Sequence, residues 1–296
     1  MSPGPTTRAA LLGAVQGLTE FAPVSSSGHL VLVPWLLGWD SDDPAVRTAF
    51  DAALHVGTAL GAGIHVRADV RRLGGAVLRD VAGFAGARRR PRDDPAARLG
   101  WLLVASELPA VAVGGLLPDR LRTGSTDPCR VAVLLAVFGV ALALADHFGP
   151  QCTGLADLGT GPVVGMAFAQ AVALAPGVSR SGATITAGRA LGVERAAVAR
   201  FSVDMTVPIS VGAAARALAG IDAATLTRLR RPLLVGVASA AITGAASVRL
   251  VLHRVGRHGY AAYAAYRLVL AGAVLALHVR RRQSLRCPAL AGDSPA

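Results

Sequence analysis

Six stretches of this chain, at 49–66, 99–117, 131–148, 201–219, 233–252 and 260–279, are apolar over close to the roughly 20 residues that a helix needs to cross a bilayer. Such runs constrain the fold more than any other feature, because water offers them nowhere to go. Composition agrees: 53% of the residues are hydrophobic, 16% are charged and mean hydropathy is +0.50, whereas soluble domains carry about 25% charge. The predicted fold class is an all-α polytopic membrane protein with about six transmembrane helices, forming a single integral membrane domain over 1–296.

The formal charge of +12 comes wholly from arginine, for the chain has no lysine. Most of it lies in short loops beside apolar runs, as expected of a protein facing anionic membrane lipids. No aromatic residues interleave with it, so nucleic acid is not a predicted partner. Cys129, Cys152 and Cys287 are odd in number and lack metal-type spacing, which argues against a disulfide framework and a zinc site. Arg8 and the apolar residues after it imitate a signal peptide. Gln16 and Glu20 interrupt that stretch and no A-x-A site follows, so it is expected to be retained.

The chain also repeats itself. "VSSSG" at 24–28 returns as "VSRSG" at 178–182, an offset of 154 that also places Gln16 on Gln170 and Leu37-Gly38 on Leu191-Gly192. "AP" at 22–23 returns at 175–176, out of step by one because Gly177 is an extra residue. Each half, about 8–148 and 162–279, has one segment broken by Pro, Gly and Ser followed by three apolar runs. An odd number of spans turns the second copy over. That is the inverted-topology repeat, in which broken helices from both halves meet near the membrane midplane. Segments 8–38 and 162–195 are therefore expected to be re-entrant helix hairpins, since irregular backbone at membrane depth must be covered by protein or line a cavity. The second helix of the first hairpin is expected to begin near His29. Residues 67–98 read as a basic linker, with nine arginines against four aspartates, and 280–296 as a polar tail. The positive-inside rule would put the linker in the cytoplasm, yet the tail is basic too and six spans would place it on the other side.

The two broken segments carry the chemistry. Gln16 and Glu20, four apart, share one helix face. An ionisable residue in a membrane segment reads by default as functional, although a place at the water interface would also explain it. "SSSG" supplies hydroxyls and backbone amides ahead of a helix start, which suits an anion. "PGVSRSGAT" repeats the design and adds Arg180, whose guanidinium suits bidentate contact with phosphate oxygens; a structural ion pair is the alternative. The phosphate-binding candidates are Ser25, Ser27, Gly28, Ser179, Arg180, Ser181, Gly182 and Thr184. Glu20 and Gln16 offer hard oxygens to Mg²⁺ or Ca²⁺. His29 joins Glu20 and Arg180 as a catalytic candidate, as acid, base or nucleophile, and a neighbouring serine as attacker on phosphorus. Together they form a phosphoryl-transfer set in a lipid-facing protein, which points to a lipid phosphate. Asp51, His55 and Asp204 read as plain polar positions on helices or as supporting groups.

"QGLTEFAPVSSSGH" and "PGVSRSGAT" resemble the two signature motifs of the bacterial undecaprenyl-diphosphate phosphatases of the bacitracin-resistance type. "FDAALHVGTALGA", "LPAVAVGGLL" and "YRLVLAGAVL" resemble the accompanying segments, so the likeness covers nearly the whole chain. The resemblance implies an enzyme of the bacterial cytoplasmic membrane. It would remove the terminal phosphate of a C55 polyprenyl diphosphate, returning the carrier to cell-wall polymer synthesis. It also implies a divalent metal and an active site opening to the outer face. By position, Glu20 takes the family's essential carboxylate, Gln16 the first place of its Glu/Gln-x-x-x-Glu motif, Ser26 and His29 its proposed catalytic pair, and Arg180 its phosphate-binding arginine. Gln at 16 removes one negative charge, and Ser at 27 stands where many members have Thr.

A different class shares the inverted-repeat plan: a transporter or flippase for a polyprenyl phosphate or another anion. Transport has little use for a carboxylate beside a hydroxyl and an imidazole, whereas hydrolysis needs them. Choice of nucleophile, metal, chain-length preference and homodimer formation stay open at the level of sequence.

Overall fold

The computed structural model describes residues 3–39, 44–85, 94–116, 127–219 and 223–286, and the chain over these is almost entirely helical. In order come α1 (Pro5–Glu20), α2 (Ser26–Leu37), α3 (Pro44–Ala85), α4 (Pro95–Leu116), α5 (Pro128–Phe148), α6 (Thr160–Val172), α7 (Arg180–Ala190), α8 (Arg195–Ala219), α9 (Ala223–His258) and α10 (Ala261–Arg286). One isolated parallel bridge, between Thr153 and Val193, is the extended pairing among the described residues.

Four helical segments are long and apolar enough to cross a membrane: Pro95–Leu116, Pro128–Phe148, Leu229–His258 and Ala261–Gln283. They coincide with four of the six expected spans. The other two, 49–66 and 201–219, lie inside α3 and α8 but are less apolar, because Asp51, His55 and His65 punctuate the first and Asp204 and Arg216 the second. Most of the expected linker at 67–98 is helical: α3 continues unbroken to Ala85 and α4 begins at Pro95, and 86–93 lie outside the described residues. Helix-favouring Ala, Leu and Arg carry α3 through the charged stretch. At 42 residues it is about 63 Å long, twice a hydrocarbon core. The part of the expected tail beyond Arg286 also lies outside the described residues.

Large apolar side chains point outward on almost every helix, among them Leu60, Leu78, Leu108, Phe148, Phe168, Leu234, Ile242 and Val269. In water these would form patches far beyond what a soluble monomer shows; in lipid they are the solvated surface. Inside, Leu142, Met166, Ile185, Phe201, Met205, Val251 and Tyr260 make the central apolar cluster. Where helices approach most closely, small residues allow it. A side chain on Gly17 of α1 would come within 2.6 Å of the Ala240 carbonyl and the Gly244 nitrogen on α9, so these two backbones can meet only at glycine.

The two expected hairpins are present. Helices α1 and α2 pack on each other around a turn at 21–25, and α6 and α7 around a turn at 173–179. Their helices have 16, 12, 13 and 11 residues, hence lengths of about 24, 18, 20 and 17 Å, all short of the roughly 30 Å hydrocarbon core. The contacts also respect the repeat. Helix α1 packs on α9 as α6 packs on α4; α3 packs on α9 as α8 packs on α4; α3 with α8 and α5 with α10 pair across the halves. Each hairpin therefore leans on a long helix of the opposite half, and the turns are brought face to face.

Candidate active site

Both turns close on a strained serine. Ser25 has φ 76° and Ser179 φ 77°, the left-handed region that costs a side-chain-bearing residue about 1–2 kcal/mol. Each is the N-cap of the following helix. The Ser25 hydroxyl accepts from the Gly28 amide at 3.2 Å, and the Ser179 hydroxyl from the Gly182 amide at 3.0 Å. The duplicated motif is thus a duplicated backbone shape. The second helix of the first hairpin begins at Ser26, a turn earlier than expected at His29, because Ser25 caps it and Ser26-Ser27-Gly28 form its first turn. The amides of Ser26 and Ser27, and those of Arg180 and Ser181, sit in first turns where no helical carbonyl can reach them.

At the repeat offset, Ser26 is the mate of Arg180. Both converge on Glu20. The Ser26 hydroxyl donates to Glu20 Oε2 at 2.6 Å, Arg180 Nη2 donates to Glu20 Oε1 at 3.0 Å, and Gln16 Nε2 donates to Glu20 Oε2 at 2.9 Å. His55 Nε2 on α3 stands 3.7 Å from the same carboxylate. Arg180 is fixed further by the Ser202 carbonyl at 3.2 Å and the Thr206 hydroxyl at 2.7 Å on α8. Glu20 is buried, whereas Ser26, Ser27, Arg180 and His55 keep partial exposure and form the open side. Arg180 is thus ion-paired to Glu20 and keeps partial exposure.

His29 is placed differently. It makes no hydrogen bond to Ser26. Its Nδ1 lies 2.7 Å from the Ser25 carbonyl, which can only accept, so Nδ1 carries the proton. In the neutral ring Nε2 then accepts from the Tyr266 hydroxyl at 2.8 Å, and the two rings stack. The neighbouring Arg267 is wholly buried and joins the turns to each other. It donates to the carbonyls of Pro23 at 3.2 Å in the first turn and of Gly177 and Val178 at 2.9 and 3.0 Å in the second, and to Leu135 on α5 at 3.1 Å. Gly177, the residue that puts the second turn out of step with the first, has φ 102°, and a side chain there would meet the Val131 carbonyl at 2.8 Å.

Of the phosphate-binding candidates, Ser27 and Arg180 reach the open side, and Gly28 and Gly182 lend their amides to the caps. Ser181 and Thr184 are buried and their hydroxyls are taken up inside the fold: Ser181 donates to the Ala22 carbonyl at 3.1 Å, and Thr184 to Arg180 and Ser181 carbonyls at 3.0 and 3.1 Å. Ser25 and Ser179 serve as caps. His55, read from sequence as a plain polar position or a supporting group, stands beside Glu20; Tyr266 and Arg267 are the residues that sequence reasoning did not put in the site. The one available signal was a "YR" pair inside an apolar run.

For a divalent ion, the donors fit in one respect. Gln16 Oε1 is buried with no hydrogen-bond partner, beside a carboxylate four residues on. No group of three or more His, Cys, Asp and Glu converges among the described residues, so substrate oxygens would complete the shell, as is usual for Mg²⁺.

The sequence model described as bacitracin resistance protein BacA matches residues 9–273. Curated relatives named undecaprenyl-diphosphatase are similar over almost their whole length. The protein of Pelobacter propionicus is 40% identical over 91% of this chain and 96% of its own. That of Rubrobacter xylanophilus is 40% identical over 91% and 97%. That of Thermomicrobium roseum is 41% identical over 92% and 97%. With both motifs inside the matched region and on the facing turns of the two hairpins, the chain belongs to the BacA family.

Proposed function

We propose that the protein hydrolyses undecaprenyl diphosphate to undecaprenyl phosphate and inorganic phosphate in the bacterial cytoplasmic membrane, with the site open to the outer side. The carrier so regenerated returns to peptidoglycan and other wall-polymer synthesis, and its turnover underlies bacitracin resistance. The observation that carries the reading is the 2.6 Å bond from Ser26 to Glu20, with Arg180 on the other carboxylate oxygen. A hydroxyl held by a carboxylate beside a guanidinium is a nucleophile, a base and an anion clamp in one place. The names of the relatives point the same way, and none of them speaks for transport.

Ser26 Oγ attacks the terminal phosphorus while Glu20 takes its proton. The bridging P–O bond breaks, and undecaprenyl phosphate leaves with the electron pair. Glu20 passes that proton to the departing phosphate and a phosphoserine remains; water then attacks its phosphorus while Glu20 takes the water proton and returns it to Ser26 Oγ, releasing phosphate and restoring the hydroxyl. Arg180 and the first-turn amides of α2 and α7 stabilise the equatorial oxygens. With both ring nitrogens engaged, His29 orients the first turn rather than attacking. Glu20 and Gln16 Oε1 would hold Mg²⁺ or Ca²⁺, which would neutralise diphosphate charge.

The test is phosphate release from undecaprenyl or farnesyl diphosphate by the detergent-purified protein, with and without EDTA. Acid-quenched single turnovers with terminally labelled substrate should trap label on Ser26. Release that Glu20→Ala and Arg180→Ala abolish is the expected result. No release from folded protein across several divalent metals would overturn the reading.

A further inference from the structure

We propose that Glu107 on α4, in the first half, and Gln170 on α6, in the second, form a second cation site between the halves, for a hard monovalent ion such as sodium. Gln170 Nε2 donates to Glu107 Oε2 at 2.8 Å. The other oxygen of each group, Glu107 Oε1 and Gln170 Oε1, is buried and has no hydrogen-bond partner. The residues are 8% and 2% exposed, and Glu107 stands near the middle of a helix long enough to span the membrane. Two buried oxygens therefore lie on a linked pair of side chains with no donor supplied to either.

The repeat gives this pair a meaning. Gln170 is the mate of Gln16 at the offset of 154, and Gln16 likewise donates its Nε2 to a glutamate while its Oε1 stays orphaned. The two units differ in the source of the glutamate, which shares α1 with Gln16 in one and comes from a separate helix in the other, and in what meets its charge. Glu20 is hydrogen-bonded to Arg180, whereas Glu107 has no hydrogen bond or ion pair to a cation among the described residues. An ionised carboxylate in so apolar a setting costs several kcal/mol unless a proton or a cation meets its charge, and the unpartnered oxygen beside it on Gln170, which a cation would engage at the same time, favours a cation. Charge balance selects the ion. One carboxylate and one neutral amide make a neutral site with a single positive charge, whereas a divalent ion would leave a net charge inside the membrane. Carboxylate and carbonyl oxygens are hard ligands, suited to sodium rather than to a soft metal.

The site has a route to the chemistry. Gln170 stands in the last turn of α6, directly before the turn at 173–179 that presents Arg180. An ion that holds Gln170 on Glu107 steadies the end of α6 and, with it, the position of that guanidinium. Occupancy should therefore tighten diphosphate binding. This consequence rests on the proposed phosphatase activity, whereas the binding site does not.

The experiment is thermal unfolding of the full-length protein in detergent, in sodium, potassium or choline chloride at one ionic strength, at the pH of the hydrolysis assay. For wild type we expect a saturable rise of about 3–6 °C with sodium over choline at a hundredfold excess over Kd. Glu20→Gln should keep the rise. Glu107→Gln should lose it, and ²³Na line broadening should fall in parallel. If Glu107→Gln does not fold, Gln170→Leu takes its place in both measurements. In hydrolysis, replacing sodium by choline should raise KM several-fold for wild type and leave Glu107→Gln unchanged. The absence of a sodium-specific shift in wild type, or a rise that survives in Glu107→Gln, would overturn the proposal and leave Glu107 a buried neutral acid. Should hydrolysis fail in every medium, the phosphatase reading falls while the unfolding and line-broadening data still decide the site.

Discussion

Glu20 can act as a base only if the proton of Ser26 has somewhere to go, and the 2.6 Å contact supplies the path. Removing the hydroxyl with Ser26→Ala should lower kcat by about 10²–10⁴-fold, the range for loss of a group acting in proton and phosphoryl transfer, while leaving the unfolding temperature unchanged. A phosphate-release assay beside a melting curve separates the two. Tyr266→Phe removes one neutral hydrogen bond to His29, worth about 1 kcal/mol, so turnover should fall by less than about tenfold. A loss as large as that of Ser26→Ala would show that His29 carries protons in the reaction. Gln16, Glu20, the serines and Arg180 were legible in the sequence because polar groups are anomalous in apolar helices and because the motif occurs twice. Tyr266 and Arg267 were not, and His55 was only a possible supporting group, since the meaning of all three is tertiary: only folding brings α3 and α10 to the turns.

At the scale of elements, the hairpins depend on a helix from outside them. Arg267 on α10 binds carbonyls of both turns, and no carboxylate shares its charge among the described contacts. Arg267→Met would leave those carbonyls unpaired, each at about 1–3 kcal/mol, and should lower the unfolding temperature markedly and abolish hydrolysis. Arg267→Lys, which keeps the charge but not the fork, should recover part of the stability and less of the activity. Equal loss in both variants would mean that charge contributes nothing to the hold. The α1–α9 contact gives a second prediction. Gly17→Val places its side chain against the Ala240 carbonyl and must push α1, with Glu20 one turn on, off its seat. Activity should fall further than stability. Hairpins and four spans were legible from apolar length and Pro-Gly breaks. The continuation of α3 to Ala85 was not, because arginine-rich sequence reads equally as loop or as helix once apolar periodicity stops.

For the whole molecule, the packing of each hairpin on the other half makes a stronger demand than duplication alone. Helix α1 rests on α9 and α6 rests on α4, while α3 with α8 and α5 with α10 join the halves directly. Glu20 and Ser26 come from one half and Arg180 from the other, so neither half holds a complete site. A chain cut between Ala156 and Asp157, both exposed, breaks no helix. The two pieces expressed together should insert, associate and hydrolyse diphosphate, because the interfaces that join them are already those between the halves. Each piece alone should be inactive and rapidly degraded, since its hairpin has no long helix to lean on and its irregular turn would face lipid uncovered. Co-purification through a tag on one piece, followed by phosphate release, checks this. The idea fails if either piece alone is active, for then two copies of one half must build a site without the Glu20–Arg180 pair. It fails equally if the pieces insert but do not associate, because the cross-half contacts would then be too weak to place the turns together.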